Sequence, residues 1–552
     1  MNRRQITILS IATALSAAFL TFDVVPLGVS GEWVWERHTW NANPVEALDR
    51  LLIPIIGGAV FFAVAVLAKP SANATRFRAF CSFGILLIGS AFWLNSVQQA
   101  APSGHRDLKP YWVLYDPSSS GYFFEAVNEI KDTREFLRGY ESRMKQGEVL
   151  HVGTHPPGLF LLSKACLNVC ESYPRLVSIL NGLENSATRQ AFRVVEAEAN
   201  YAPRLKENQL AALHLLSMLS SIAVVLTILP LVLLCRQYFD IETTWKICCL
   251  WPTLPCLAVF LPKSDVLFPL TCTASLALAV LAMSGGRKVL WAVPAGAILW
   301  FGMMLSLAHL PIPVVLVVYA LIRAVISNGE TLTRASPLTQ WRGKVKEVER
   351  SNRRDAPLSL RAACEHGARF ILNKTLRRDA VAGIVCVATI VACCFAWNVS
   401  TDCNIFNVWR LNLTNHAGFY EQFQRTWYKW LLVNPVELML AVGLPVFVLA
   451  MFGVRQAVCD FRKRADSSST ERNHAAFLLA TTLVLMALWL SGKNQGEAAR
   501  LWCFLTPWIV VSCGRLLLMN RVGLNPGAWR ALLLLQLAAS IATVSFVSGF
   551  SF

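Results

Sequence analysis

A histidine stands at the head of a rigid turn in the tetrad His155-Pro156-Pro157-Gly158, directly before the apolar run 159–162. Adjacent prolines fix two φ angles, and the first also disfavours the α region for His155. The chain must therefore turn before a helical segment and hold an imidazole there. This combination favours a membrane-embedded active site over a simple helical bundle. The alternative is that His155 only caps the following helix.

Two carboxylates precede this turn and could act as a general base. Asp116 stands before Pro117 and a serine-rich turn that leads into Tyr122 and Glu125. A carboxylate within reach of a hydroxyl can remove its proton during transfer of a group to that hydroxyl. Each residue also has a simpler interpretation. Asp before Pro often bonds its own backbone in a turn, and Glu125 could lie on the solvated face of a helix.

Later in the chain, two short segments carry charges next to apolar stretches. Lys263 and Asp265 share a tight turn between two apolar blocks, where they could bind an anion or pair with each other. Lys493, Glu497 and Arg500 lie just before the apolar stretch that starts at residue 501. An arginine at the edge of hydrocarbon can snorkel. Beside an acidic residue at the start of a span it is more typical of a protein interior or cavity.

The elements that must position these residues are membrane helices. The chain has 552 residues, of which 55% are hydrophobic and 15% charged, whereas soluble domains carry about 25% charged residues. The apolar residues form blocks of about 20, the length that crosses a bilayer. We predict an all-α polytopic membrane protein of about 13 transmembrane helices: 5–25, 51–69, 78–97, 210–235, 245–262, 266–284, 289–307, 309–327, 380–397, 431–454, 475–491, 501–519 and 529–548.

The net charge of +17 is explained by membrane topology and does not indicate a nucleic-acid partner. Lys and Arg concentrate in alternate loops, including a dense basic stretch between Arg334 and Arg378, as the positive-inside rule requires for cytoplasmic loops. With the N-terminus inside, the candidate residues all fall on the opposite, outer face. The predicted outer segments are 28–50, 98–209, 263–265, 398–430 and 492–500.

Five regions follow from this organisation: N-terminal transmembrane helices (1–97), an outer-face loop domain (98–209), a transmembrane core (210–327), a basic cytoplasmic loop (328–379) and C-terminal transmembrane helices (380–552). Within the outer domain, 122–144 has the spacing of one amphipathic helix. The apolar segment 159–169 is too short to span and is expected to lie in the interface or to re-enter the membrane.

Four outer elements of the chain resemble multi-pass, lipid-phosphate-dependent glycosyltransferases of the GT-C fold. This family includes the dolichyl-phosphate-mannose protein mannosyltransferases and the bacterial aminoarabinose transferases of lipid A. The matching elements are Asp116 followed by Tyr122-x-x-x-Ala126, the His155-Pro-Pro-Gly158 tetrad, Glu497-x-x-Arg500 ending at Pro507, and the Pro262-Lys-x-Asp265 turn. Family members usually place the catalytic carboxylate straight after the first span, often as Asp-Glu before the Tyr. Here two additional spans precede it, so the base is Asp116 or Glu125, and Asp116 is favoured.

The resemblance implies a hexosyl- or pentosyltransferase that takes a polyprenyl-phosphate-linked sugar from the bilayer. Asp116 would deprotonate the hydroxyl of a glycan, lipid or protein acceptor, and inversion would follow from a single displacement. Arg500, with Lys263 or Lys493, would stabilise the leaving phosphate. Tyr122, His151, His155, Asp265 and Glu497 would line the substrate site.

The resemblance leaves open whether a divalent metal ion takes part. Some members of the family use such an ion with paired acidic residues, and others do not. The absence of Asp-x-Asp from the outer loops disfavours a metal, and Gly153 and Pro156 disfavour a zinc pair at His151 and His155. No cofactor is therefore assigned.

Two other functions remain possible from the sequence. A transporter or flippase of lipid-linked sugars would also carry prolines and polar groups within spans. It predicts internal repetition and charges at mid-membrane, whereas here the charges gather at span ends. A non-catalytic scaffold would leave the outer motifs without a purpose. We therefore expect an enzyme of a bacterial inner membrane, surrounded by membrane lipids, with its active site on the periplasmic side.

Overall fold

The computed structural model describes residues 3–22, 25–38, 44–149, 151, 153–198, 203–335, 374–462, 468–518 and 526–550. Most of the predicted basic loop 328–379 lies outside these residues. Helices dominate the described chain, and they are α1 Arg3–Thr21, α2 Pro44–Leu67, α3 Arg76–Gln98, α4 Ser103–Tyr115, α5 Tyr122–Asn128, α6 Thr133–Met144, α7 Gly158–Ser172, α8 Pro174–Leu183, α9 Ser186–Glu198, α10 Glu207–Leu226, α11 Ile228–Cys235, α12 Ile241–Leu250, α13 Pro255–Phe260, α14 Phe268–Ala282, α15 Ala292–Leu305, α16 Pro311–Ala335, α17 Lys374–Thr401, α18 Ile405–Gln422, α19 Trp427–Val442, α20 Leu444–Arg462, α21 Ser469–Leu490, α22 Ala498–Leu501, α23 Thr506–Ser512, α24 Gly514–Leu518 and α25 Pro526–Phe546.

Eleven helical segments of the described chain are long and apolar enough to cross a membrane. The chain is therefore an integral, multi-pass membrane protein, and the predicted all-α polytopic fold is confirmed. One small hairpin is present, in which β1 (Gly28–Val29) pairs antiparallel with β2 (Trp33–Val34). Helices that follow each other in the chain pack together, such as α2 with α3 and α14 with α15, and α1 packs against α25 from the other end of the chain.

The predicted span 245–262 is not one helix. It consists of α12, a short 3₁₀ turn at Trp251–Thr253, and α13, because Pro252 and Pro255 cannot donate to the helical ladder. Buried side chains bind the carbonyls that this break leaves free. The Trp93 indole donates to the Pro252 carbonyl at 3.0 Å, and the Gln536 amide donates to the Thr253 carbonyl at 2.9 Å.

The predicted spans 431–454 and 501–519 are also divided. Gly443 separates α19 from α20 with φ +86°, a conformation that L-residues with a side chain rarely adopt. The segment 501–519 is built from α22, a 3₁₀ turn at Cys503–Leu505, α23 and α24. Pro507 restarts the helix at the beginning of α23. These interruptions account for the difference between the 13 predicted spans and the 11 long ones.

The predicted outer domain contains α4 to α9. The expected single helix over 122–144 is wrong, because the chain breaks at 129–132 and restarts where the Asp132 carboxylate accepts from the Arg134 amide at 2.7 Å. The short apolar segment 159–169 lies within α7. The buried side of α7 packs against α5, α10 and α15.

Candidate active site

A tight turn holds Asp116 at the end of α4. The backbone carbonyl of Asp116 accepts from the amides of Ser119, Ser120 and Gly121 at 3.0–3.1 Å. Its Oδ1 atom accepts from the Ser118 amide at 2.8 Å and from the Ser118 hydroxyl. Gly121, with φ +72°, then directs the chain into α5. The carboxylate thus has the turn role expected of Asp before Pro, and it stays half-buried.

Lys263 reaches this turn from the other side of the site. Its Nζ atom donates to the carbonyl oxygen of Ser119, and the residue is only 3% exposed. Burial lowers the pKa of Lys263 to about 7, and the positive charge of Arg500 acts in the same direction. Three carboxylates oppose this shift, and they belong to Asp265, Glu497 and Asp116. Lys263 therefore has all of these charged groups as neighbours.

Arg500 is held between two acidic residues. Its Nη2 atom lies 2.9 Å from Glu497 Oε1, and its Nε atom lies 3.9 Å from Asp265 Oδ2. Burial acts to lower the pKa of the Arg500 guanidinium, but the negative charges of Glu497 and Asp265 raise it above its usual value. Arg500 consequently remains charged at every physiological pH.

The two histidines are neutral, and their contacts define which ring nitrogen carries the proton. His151 Nε2 lies 3.2 Å from the Ser118 carbonyl, and His155 Nδ1 lies 3.2 Å from the His151 carbonyl. A carbonyl oxygen only accepts, so each of these nitrogens is the protonated donor. Burial lowers the pKa of His155 to about 3, with Lys263 as the next cause, and burial also lowers that of His151. His155 Nε2 is therefore left as a hydrogen-bond acceptor.

Tyr122 packs in the centre of this group. Its ring stands edge-on to His155 at 5.4 Å and to Phe160 at 5.1 Å between centroids. Burial raises the pKa of the Tyr122 phenol well above its usual value, and Asp265 adds to the shift. The hydroxyl has no hydrogen-bond partner among the described residues. Tyr122 is thus a neutral, buried group that can donate a hydrogen bond to a ligand.

Two predicted site residues have other surroundings. Glu125 lies on α5 and pairs with Arg143 of α6, with 2.5 Å between Oε2 and Nη2. Lys493 is exposed, and its described hydrogen bond joins its backbone amide to the Ser491 hydroxyl at 3.2 Å. The other eight predicted residues come together from four separate segments of the chain: Asp116, Tyr122, His151, His155, Lys263, Asp265, Glu497 and Arg500.

Sequence reasoning missed the residues that support this cluster. Asn412 and Asn415 of α18 bind the backbone of the turn that carries His155. Arg425 donates to the Gln495 carbonyl at 2.6 Å, just before Glu497. Asn412 and Asn415 are three residues apart on one helix face, but the sequence does not show that this face is buried, so it carried no usable signal.

An apolar cavity of about 400 Å³ borders the cluster. Side chains of α1, α13, α19 and α25 form its wall, together with residues of the 25–35 segment. Glu437 is the only acidic or basic residue among the described residues that line it, and its Oε2 atom accepts from the Ala499 amide at 3.4 Å. Ala499 immediately precedes Arg500, so the cavity and the charged cluster meet at α22.

Comparisons with known proteins give matches among solved structures. No family model and no curated protein matches the chain. The oligosaccharyltransferase AglB from Archaeoglobus fulgidus, bound to an inhibitory peptide and a dolichol-phosphate, aligns with a TM-score of 0.38 and 12% identity over 91% of this chain and 56% of its own. The apo form of the same organism's oligosaccharyltransferase aligns with a TM-score of 0.38 and 14% identity, over 91% of this chain and 57% of its own. The complex with Zn and sulfate aligns with a TM-score of 0.35 and 17% identity, over 65% of this chain and 44% of its own.

All three solved structures are of the Archaeoglobus fulgidus oligosaccharyltransferase, and they share 12% to 17% identity with this chain. The chain spans about half of their length.

The cluster is a poor fit for a divalent metal ion. Asp265 and Glu497, two of its carboxylates, are both directed at the Arg500 guanidinium. In the described part of the chain, no three or more His, Cys, Asp or Glu residues are grouped so that they could hold a metal. A divalent ion takes several oxygen ligands, whereas Asp116 is the only one of the three carboxylates in this cluster that is not paired with Arg500.

Proposed function

We propose that this chain is an integral-membrane glycosyltransferase of the GT-C type. It would transfer a hexosyl or pentosyl unit from a polyprenyl-phosphate donor to an acceptor hydroxyl on the outer face of a bacterial cytoplasmic membrane. The observation that supports this most strongly is the bond from Lys263 to the Ser119 carbonyl. It brings the buried Lys263 next to the turn that holds the Asp116 carboxylate, and the charge of the half-buried Arg500 acts on Lys263 within the same site.

The cations suit the leaving group of this reaction. When the glycosyl bond breaks, the bonding electrons pass to a phosphate oxygen, which gains negative charge. Buried, fixed cations stabilise such charge strongly because little solvent has to reorganise around them. Arg500 can present two parallel donors to phosphate oxygens, while Lys263 acts as a point charge. Asp265 and Glu497 fix the orientation of the guanidinium.

Asp116 is the proposed general base. Its carboxylate takes the proton of the acceptor hydroxyl, whose oxygen forms the new bond to the anomeric carbon as the bond to the lipid phosphate breaks. One displacement inverts the anomeric configuration, unlike the two-step route with a covalent intermediate. The Tyr122 hydroxyl and His155 Nε2 supply a donor and an acceptor that can orient sugar hydroxyls, and His151 ties their turn to that of Asp116.

The apolar cavity beside α22 can accommodate the first isoprene units of the donor. Two of the helices that line it, α1 and α25, are long enough to cross a membrane, and Ala499, the neighbour of Arg500, also lines it. A prenyl chain bound there would bring its phosphate towards the guanidinium. Because the prenyl chain enters from the bilayer and not from water, its binding there would gain van der Waals packing and not hydrophobic transfer free energy.

The test is incubation of the purified protein with a panel of radiolabelled polyprenyl-phosphate sugars and candidate acceptors. We expect at least one donor to release its lipid phosphate together with a glycosylated product of inverted configuration. Binding of intact lipid-linked sugars without turnover, accompanied by their movement between leaflets of a vesicle, would instead identify a flippase.

A further inference from the structure

Two buried asparagines of α18 bind the backbone of the turn that precedes His155. Asn415 Nδ2 donates to the Gly153 carbonyl at 2.8 Å and to the Met144 carbonyl at 2.9 Å. Asn412 Nδ2 donates to the next carbonyl, that of Thr154. The two asparagines come from an outer segment more than 250 residues further along the chain.

The same turn is fixed from its other side. Tyr140 of α6 donates its hydroxyl to the His155 carbonyl at 2.7 Å. The Glu148 carboxylate accepts from the Gly153 amide at 2.7 Å. Three successive carbonyls, from residue 153 to residue 155, are therefore each bound by a side chain. The orientation of every peptide plane that leads into the two prolines is set by these bonds.

The buried face of α18 indicates that this contact is more than helix docking. Its buried residues are Ile405, Val408, Asn412 and Asn415, so the face changes from apolar to amide where it meets the turn. The two amides are only 2% and 8% exposed. A buried amide costs free energy unless its hydrogen bonds are made, and here those bonds all go to backbone carbonyls at or next to the turn.

We propose that Asn412 and Asn415 are positioning residues, which hold the turn so that His155 presents its Nε2 atom to the substrate as a hydrogen-bond acceptor. The chain of contacts is direct. The amides fix the 153–154 carbonyls, the turn fixes the His155 backbone, and the His151 carbonyl accepts from His155 Nδ1. The assignment of a substrate to Nε2 rests on the proposed function.

The test compares Asn412→Ala and Asn415→Ala with Asn407→Ala in the full-length protein. Asn407 lies on the same helix, but its side chain contacts Glu141 and not the turn. A small misplacement of a substrate-orienting group can lower the rate about 100-fold. We expect kcat to fall roughly 10- to 100-fold for the first two variants, with KM for the donor changed by less than about threefold. The control should keep the activity of the unmodified protein.

A double-mutant cycle with His155→Ala separates positioning from general destabilisation. If the amides act through His155, then Asn415→Ala adds little further loss of kcat in the His155→Ala background. Multiplicative losses, or unchanged kcat in the single variants, would overturn the proposal. Tyr140→Phe removes only the third bond of the turn, so it provides a milder variant if the asparagine variants do not fold.

A measurement that does not depend on activity distinguishes this proposal from the proposed function. Diethyl pyrocarbonate modifies an unprotonated imidazole nitrogen, and mass spectrometry locates the modified residue. We expect the modification rate of His155 to rise several-fold in Asn415→Ala and to stay unchanged in Asn407→Ala. Equal rates in all variants would refute positioning even if the protein transfers sugar. If the unmodified protein transferred no sugar, only the proposed function would be refuted, and the positioning role would still be judged from the modification rates.

Discussion

Asp116 and Glu125 are the two carboxylates that could serve as the base, and their surroundings differ. Asp116 lies in the turn that Lys263 contacts, whereas Glu125 forms an ion pair with Arg143. We expect Asp116→Asn and Asp116→Ala to lower kcat by about 10² to 10⁴, the usual contribution of general base catalysis, while donor binding persists. Glu125→Gln should act mainly on thermal stability. If Glu125→Gln lost more kcat than Asp116→Asn, then Glu125 and not Asp116 would be the general base.

The protonation of His155 leads to a second prediction at a single residue. A glutamine places its amide near the position of the imidazole Nε2, and an asparagine places it near Nδ1. Because Nε2 is the acceptor available to substrate, His155→Gln should retain more activity than His155→Asn. The expected ratio of kcat/KM is about fivefold, equivalent to the roughly 1 kcal/mol of one hydrogen bond. The opposite order would show that activity depends mainly on the hydrogen bond from His155 Nδ1 to the His151 carbonyl.

Lys263 should make donor capture depend on pH. Its pKa is about 7 because burial disfavours the charged form, so the charge is present below pH 7 and is lost as the pH rises. Since kcat/KM reports ionisations of the free enzyme, it should fall above pH 7 and approach a tenfold loss per pH unit. Lys263→Arg keeps its charge and should lack this falling limb. If it retained the limb, another group would be responsible.

The predicted residues that lie together in the structure share one property: they stand out beside apolar segments. Arg500, Lys263 and the His155 tetrad are polar groups directly next to apolar stretches, where polarity needs a reason. Asn412 could not be recognised in the same way, because an amide in a polar outer loop is unremarkable until its partner is known. Glu125 stayed an alternative to the favoured Asp116, since its partner, Arg143, is 18 residues away along the chain.

At the scale of elements, the long apolar spans were predicted well and the interrupted ones were not. Hydropathy averages over about 20 residues, so it cannot show that Pro252 and Pro255 break a segment whose composition is mostly apolar. The break is stable because Trp93 and Gln536, both distant in sequence, bind the freed carbonyls. The end of α5 was missed for a related reason, since Asp132 caps α6 inside a continuous amphipathic pattern.

Gly443 provides a test of how such a break is maintained. Its φ of +86° excludes most side chains, and an added Cβ would lie 2.5 Å from the Gln536 amide nitrogen. We expect Gly443→Ala to reduce the free energy of unfolding by about 1–3 kcal/mol, the usual cost of a strained backbone position. Gly383→Ala is the matched control, because nothing lies within 4 Å of its Cβ. Thermal unfolding in detergent should show a lower midpoint for the first variant only.

For the whole molecule, the described contacts pair loops that were predicted to lie on the same side. Lys263 and His151 both contact the 116–121 turn, and α18 contacts the 153–155 turn, all within predicted outer segments. At the other ends of the helices, Lys69 pairs with Glu242 at 2.7 Å between loops that were predicted to be cytoplasmic. The positive-inside assignment is thus internally consistent, because loops assigned to one side meet each other in the fold.

The direction of this arrangement in the membrane is open to a direct test. Lys493 and Lys288 are both exposed, and they belong to segments predicted to be outer and cytoplasmic, respectively. In a background with the exposed Cys81 replaced by serine, Lys493→Cys should react with a membrane-impermeant maleimide on intact cells. Lys288→Cys should react only after permeabilisation. The reverse labelling pattern would place the charged cluster at the cytoplasmic face. The enzyme would then require a donor whose sugar faces the cytoplasm, although the proposed displacement reaction would be unchanged.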